Sequence, residues 1–504
     1  MLKINGNNLD LVAFMKVVRW QEKVAIAEEN RVLIDTARAY VQTVVESGKP
    51  VYGINTGFGK LSDVVIEKAD VKTLQRNLLM SHACGVGEPF DPEIVRGMML
   101  LRVNALIKGH SGIRLEVLEK MLEFLNKNVI PLVFSQGSLG ASGDLAPLAH
   151  MCLPLIGLGE VLVHGKRLDA KTGLEQAGIL PIDHLEAKEG LSLINGTQAM
   201  TSVGAITLFD AFQLERSASL SLAMSMEALE AIIDAFDPRI AALRGHPGHH
   251  TVSARIVSLL KNSRLITKDG EKRIQDAYSL RCAPQVHGAC LDAFRHIQTI
   301  LEREMNAVTD NPIVFSESQE VISAGNFHGE PLALAFDYMA IAISELANIS
   351  ERRIERLVNV SLSNGLPPFL VKKPGINSGF MIVQYSAAAL VSENKSLAHP
   401  ASVDSIPSSA NQEDHVSMGT IAARKAATIL ANATRVIAME LFTAAQAVSF
   451  RGPDKLGIHT TLAYDRIRSR IPFIDEDTLM YPYIHTLEKM LRENQFDADL
   501  PKEE

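Results

Sequence analysis

The stretch QAMTSVGAITLFDAFQLERSASLSLAMSMEALEAIIDA, residues 198–235, contains no proline and is rich in alanine, leucine, methionine and serine. Phe209, Phe212, Leu220 and Met224 recur in it at helical spacing, which predicts one very long helix. Three more proline-free stretches follow: Val286 to Val308, Leu332 to about Val360, and Asp414 to Phe450, the last closed by Gly452-Pro453. Each exceeds the ordinary helix length of about 11 to 12 residues. Helices this long bury their apolar stripes against one another, so the expected fold is mainly α, a long-helix bundle. Residues 1–195 are interrupted more often by glycine and read as a smaller, mixed N-terminal domain. Residues 196–504 read as the central bundle and a C-terminal helical region.

A chain of 504 residues can build more than one core. With 50 lysines and arginines against 58 aspartates and glutamates, it has a net charge of -8 and no basic run, so nucleic acid is not expected as a partner. The start, Met1 to Asp10, lacks the apolar core of a signal peptide, and no uninterrupted apolar stretch reaches membrane-spanning length. The expectation is a cytoplasmic protein without a membrane partner. Cys84, Cys152, Cys282 and Cys290 show no C-x-x-C spacing and read as reduced thiols. His246-Pro247-Gly248-His249-His250 has no carboxylate or cysteine at ligand spacing, so it reads as a solvated loop and no metal is expected.

The chemistry begins at Gly137-Ser138-Leu139-Gly140-Ala141-Ser142-Gly143-Asp144-Leu145-Ala146-Pro147. Gly143 lacks a Cβ, so its amide nitrogen can approach the Ala141 carbonyl carbon and close a five-membered ring. Loss of water makes the ring an imidazolone, and loss of the Ser142 hydroxyl leaves an exocyclic methylidene. No ordinary side chain is a good electrophile, and such chemistry usually falls to a cofactor. Here the chain could build its own.

Residues 137–150 as a whole resemble the signature of the 4-methylideneimidazole-5-one ammonia-lyase family, whose members act on histidine, phenylalanine or tyrosine. Further matches run from Tyr52 to beyond Met418, nearly the whole chain. The resemblance implies a 4-methylideneimidazole-5-one (MIO) group formed from Ala141, Ser142 and Gly143, with no external cofactor, and a homotetramer whose active sites are shared between chains. In Val51-Tyr52-Gly53-Ile54-Asn55-Thr56-Gly57, it assigns Tyr52 as the base that removes the β-proton. In Gln275-Asp276-Ala277-Tyr278-Ser279-Leu280-Arg281, Arg281 would hold the α-carboxylate, a task suited to a planar, permanently charged fork. Gln275 would line the same pocket and Tyr278 would assist near the electrophile. Asn195 would contact ring and substrate, and Phe327 would pack near the methylidene.

Asp144, Asn195, Arg281 and Glu413 each stand just before a predicted helix. Converging helix N-termini present unpaired N–H groups and favour anions. A free tyrosine titrates near ~10, and this field together with Arg281 is expected to lower Tyr52 toward a working base. Ser81-His82 occupies the selectivity position and resembles the histidine type. A carboxylate at Glu413 can accept from an imidazole N–H, whereas a phenyl ring would leave it unpaired at a cost of about 1 to 3 kcal/mol. The resemblance therefore implies an amino acid substrate, L-histidine, and the products trans-urocanate and ammonia. Ala277 departs from some histidine-specific members, which carry proline there. Serine-histidine also occurs in tyrosine aminomutases, so a tyrosine or phenylalanine lyase or aminomutase is the alternative.

Overall fold

The computed structural model describes residues 1–501 and is mainly α, as the proline-free stretches predict. The chain divides into two compact units. The first comprises Met1–Ile206, Gln298–Asp337 and Pro400–Arg424, and the second Thr207–Ile297, Tyr338–His399 and Lys425–Glu504. The chain thus returns twice to the first unit, where a single cut after residue 195 was expected.

The first unit is the mixed one. Its strands are short: Leu2–Ile4 pairs in parallel with Val24–Ile26, Val86–Pro89 pairs antiparallel with Phe134–Gln136, and Ile130–Pro131, Glu160–Val163 and Lys166–Asp169 form a three-stranded sheet. The hairpin Ile313–Phe315 with Glu320–Ile322 comes from the first returning segment. The helix Pro92–Leu106 opens on proline, whose fixed φ suits a first helical turn. Every residue from Val95 to Leu106 is buried, including Arg96, Arg102 and Asn104. A helix enclosed this completely must pair its polar side chains internally. Arg96 does so by donating to the carbonyls of Val17 (2.7 Å) and Val18 (3.1 Å), which close the helix Leu11–Val18.

The four long helices form, with ends that differ from those expected: Gln198–Ala228, Ala283–Met305, Glu330–Val358 and Gly419–Arg451. The first stops well short of Ala235 because Glu230 takes a left-handed φ of 51°. Cations cover its last carbonyls: Arg451 Nε donates to Ala228 O (2.9 Å) and Arg273 Nη2 to Leu229 O (3.0 Å). The fourth starts at Gly419 instead of Asp414. Ser417 and Met418 instead donate their backbone N–H groups to Gly140 (3.2 Å) and Leu139 (3.3 Å), and Met418 sits at φ 55°. Five residues read as helix, 414–418, are therefore drawn out to hold the segment before Ala141.

In the second unit, Pro247–Leu259 is a helix, not the solvated loop expected around His246, and His249 is buried in it. Its centre is polar as well as apolar. Glu440, wholly buried, accepts from Arg353 Nε (2.5 Å) and Nη2 (2.8 Å), Ser221 (2.8 Å), Ser225 (2.7 Å) and Ser350 (2.6 Å). One helix among the described residues, Glu330–Val358, is long and apolar enough to cross a membrane, and 67% of its most apolar window is buried. The four cysteines are free.

Candidate active site

Residues far apart in sequence line one cavity of about 560 Å³ in the first unit: Tyr52, His82, Ser142, Asn195 and Glu413, with apolar walls from Leu74, Leu78, Leu191 and Ile194. A smaller cavity of about 260 Å³ shares Ser81, His82, Leu145 and Glu413 and reaches Ala141 and Gly143.

Gly143 sits at φ 75°, in the left-handed region that glycine adopts without a Cβ penalty. A Cβ there would fall 2.2 Å from the Gly196 carbonyl oxygen. That oxygen accepts from Asp144 N–H at 2.7 Å, so the two backbone segments are pressed together at this point. Asp144 does not cap its own helix, Leu145–Cys152. Its Oδ2 accepts from the N–H groups of Ala199 and Met200, both at 2.9 Å, at the start of Gln198–Ala228. Its Oδ1 accepts from Ser138 (2.8 Å) and from Thr420 in the first turn of Gly419–Arg451. Burial still pushes the Asp144 carboxyl above its ordinary value, with these donors opposing. Three helix starts meet at this carboxylate, and the fourth expected one, at Arg281, is not among them.

Ser142 donates its hydroxyl to Glu413 Oε1 at 3.0 Å, and Ser408 donates to Oε2 at 2.9 Å. Glu413 does not stand at a helix start. It closes a turn in which Ser409, Ala410 and Asn411 all have φ between 49° and 67°, and Ser408 and Glu413 pair as an antiparallel bridge. Such strain in non-glycine residues persists where surrounding structure over-determines it.

Asn195 ends the short helix Glu189–Ile194 and is 4% exposed. Its Nδ2 reaches Ser142 O at 3.5 Å, and its Oδ1 has no protein partner. A buried acceptor left unpaired costs about 1 to 3 kcal/mol, so this oxygen is poised for an incoming donor.

Tyr52 lies in a turn pinned by Asn55, which accepts from Val51 N–H (2.8 Å) and donates to Lys49 O (2.9 Å). The expectation of a depressed Tyr52 is overturned: burial pushes its hydroxyl above the ordinary value and the Glu413 carboxylate adds to this, while the Gly59 backbone opposes. Arg281 is not among the influences on it. Burial lowers His82, which favours the neutral imidazole. His82 Nδ1 lies 3.0 Å from Ser81 Oγ.

Phe327 does not line the cavity. Its loop is tied to the Glu413 loop by His328 Nε2 and His415 Nδ1, 3.3 Å apart, with the rings stacked at 5.4 Å. Gln275, Tyr278 and Arg281 belong to the second unit. There the Arg281 guanidinium stacks over Tyr278 at 4.5 Å and its Nε donates to Asp276 O (2.9 Å), while Gln275 and Tyr278 are exposed. Four groups that matter to the first-unit geometry escaped the sequence: Ser138, Thr420, Ser408 and Arg102. The first three are unremarkable polar residues in sequence. Arg102 carries a signal, a lone cation within the apolar run Gly97 to Ile107. No group of three or more His, Cys, Asp or Glu suited to a metal occurs among the described residues.

Residues 9–469 match the model of the family described as aromatic amino acid lyase. The chain is 52% identical over 502 residues to a histidine ammonia-lyase of Natranaerobius thermophilus, covering 100% of this chain and 99% of that one. Among solved structures, it resembles histidine ammonia-lyase from Trypanosoma cruzi at a TM-score of 0.91 and 42% identity, covering 99% of this chain and 96% of the other. It also resembles tyrosine aminomutase from Streptomyces globisporus at a TM-score of 0.95 and 35% identity, covering 99% and 98%. Backbone likeness therefore does not separate the two chemistries, whereas identity favours the first.

Proposed function

The chain belongs to the aromatic amino acid lyase family, and we propose that it is a histidine ammonia-lyase, converting L-histidine to trans-urocanate and ammonia. The observation that carries this reading is the contact of Ser142 with Glu413 in a cavity that His82 and Asn195 also line. The Ala141-Ser142-Gly143 segment suits conversion to an MIO group, because the left-handed Gly143 and the Gly196 oxygen beside it leave no room for a side chain. Once formed, that group would supply an electrophile for the substrate amine and make the nitrogen a better leaving group.

The remaining work falls to this chain's side chains. Glu413, relieved of the Ser142 hydroxyl, accepts the imidazole N–H of the substrate, and neutral His82 offers a second polar contact. The apolar walls formed by Leu74, Leu78 and Leu191 exclude water and strengthen both bonds. Tyr52 takes the β-proton. Because burial holds its hydroxyl protonated, the rate should climb with pH until other groups intervene. Arg281 holds the α-carboxylate, Gln275 lines the same pocket and Tyr278 assists near the electrophile. A homotetramer with active sites shared between chains, as the family resemblance implies, lets a second copy supply them. The enzyme works in the cytoplasm and needs no metal.

The test is to incubate the purified protein separately with L-histidine, L-tyrosine and L-phenylalanine, following absorbance of the unsaturated acid and release of ammonia. Urocanate and ammonia from L-histidine alone are expected. A β-amino acid product, or turnover only of an aromatic amino acid, would overturn the roles given to Glu413 and His82.

A further inference from the structure

Arg102 is fully buried in the helix Pro92–Leu106, yet nothing in the reaction as described uses it. Its Nη1 donates to the Asn195 carbonyl and to Gln198 Oε1, both at 2.8 Å. Gln198 is turned toward it by a second bond, from Gln198 Nε2 to Thr309 Oγ1 (2.8 Å). The nearby Asp310 carboxylate offsets its charge, but Lys188 already claims that carboxylate at 2.7 Å, and Nε and Nη2 of Arg102 have no protein partner. Burying a guanidinium with so few partners is costly. A neutral core residue would hold Pro92–Leu106 in place at less cost.

What the guanidinium does hold is the peptide between Asn195 and Gly196. Arg102 fixes its carbonyl from one side, and the next carbonyl, Gly196 O, accepts from Asp144 N–H on the other. The same peptide presents Asn195 to the cavity and sets Gly196 against Gly143. We propose that Arg102 is a positioning residue, acting through this peptide on the Asn195 amide and on closure of the Ala141–Gly143 ring. The inference rests on the proposed ring. In that closure the Gly143 nitrogen bonds to the Ala141 carbonyl carbon, whose oxygen leaves as water with the amide hydrogens of Gly143 and Ser142. A second water takes the Ser142 hydroxyl and its Cα hydrogen. Two dehydrations balance without an oxidant or a reductant, so the backbone must supply only proximity.

The experiment compares wild type with Arg102→Met, Arg102→Lys and Thr309→Val by intact mass, kcat and KM on L-histidine, and unfolding midpoint. In Arg102→Met, kcat should fall about 100-fold, the effect expected of a misplacement near 1 Å. KM should stay within about threefold, because Arg102 touches no substrate, and a share of chains should keep the unmodified mass, heavier by two waters. Arg102→Lys should recover part of the loss, since it restores charge but not the planar fork. Thr309→Val should lose about fivefold, the worth of one neutral hydrogen bond. A folded Arg102→Met with wild-type kcat and full loss of two waters would overturn the proposal. If that variant does not fold, a Thr309→Val protein unchanged in kcat and mass overturns it instead. Wild type lacking the two-water loss would sink the reading of the ring itself, a distinct result.

Discussion

Both units bury charged and polar side chains, but the Glu440 centre of the second and the cavity of the first treat them differently. In the second unit, Glu440 meets five donors from Arg353, Ser221, Ser225 and Ser350, which leaves the carboxylate nothing further to accept. In the first, Asn195 Oδ1 is unpaired, Ser142 and Glu413 share a bond at the edge of a cavity, and Arg102 has idle donors. A satisfied buried network rigidifies a core and is chemically inert, whereas unsatisfied groups beside a cavity are kept for a ligand. Glu215 repeats the closed pattern, accepting from Arg255 Nη1 (2.7 and 2.8 Å) and from Ser219 (3.3 Å), whose hydroxyl in turn accepts from Arg255 Nη1 (3.0 Å).

The sharpest way to break that contrast is Ser142→Ala. It removes the hydroxyl that Glu413 accepts and the atom whose departure would complete the electrophile, while deleting only one half-buried hydrogen bond from the fold. Turnover should drop by about 10⁴-fold or more, with the unfolding midpoint close to wild type. A variant that melts early, or that retains turnover, would mean that the first unit's open groups are structural like those of the second.

Next in size is Glu440→Gln, which strands the wholly buried Arg353 cation. Breaking one side of a buried pair costs about 3 to 5 kcal/mol, so the unfolding midpoint should fall strongly. Per folded molecule, kcat should fall far less than in Ser142→Ala, because no residue of this centre lines the cavity and its link to the Tyr278–Arg281 segment is the one long bond from Arg353 Nη1 to Ser279 O (3.5 Å). A loss of kcat without loss of stability would place the network in the catalytic machinery.

The contrast also explains what could be read beforehand. The long helices were legible because their proline-free apolar periodicity depends on local residues alone, and the Ala141-Ser142-Gly143 chemistry was legible because three adjacent residues carry it. The end at Ala228 was not, since it depends on Arg451 and Arg273, which arrive from more than 40 positions away in sequence. Nor was the delayed start at Gly419, where backbone bonds to Leu139 and Gly140 outweigh the helical propensity of residues 414–418. Asp144 stands in sequence just before its own helix, but the helix whose start it holds is the one at Gln198, a matter of tertiary contact. Tyr52 was misjudged for the same reason: its chemistry depends on how deeply it is buried and on Glu413, neither of which the turn around it records.

The smallest effect concerns a group in the second unit that titrates near neutrality without serving any cavity. Glu227 accepts from Gly457 N–H at 2.7 Å, yet burial pushes its carboxyl up to about 7 from 4.5, with Gly457, Ser263 and Thr460 opposing. A raised folded-state value means stability that is fully present below the unfolded value, where both states carry the proton. As pH rises, the unfolded chain releases its proton first, and the advantage is lost through about pH 7. The unfolding midpoint should therefore decline from about pH 5 to about pH 8. Glu227→Gln, which keeps the acceptor for Gly457 and removes the titration, should flatten that slope and leave kcat alone. Other carboxyls add their own slopes, so the difference between the two proteins is the quantity to measure. An identical decline in both would show that Glu227 is already ionised in the folded chain.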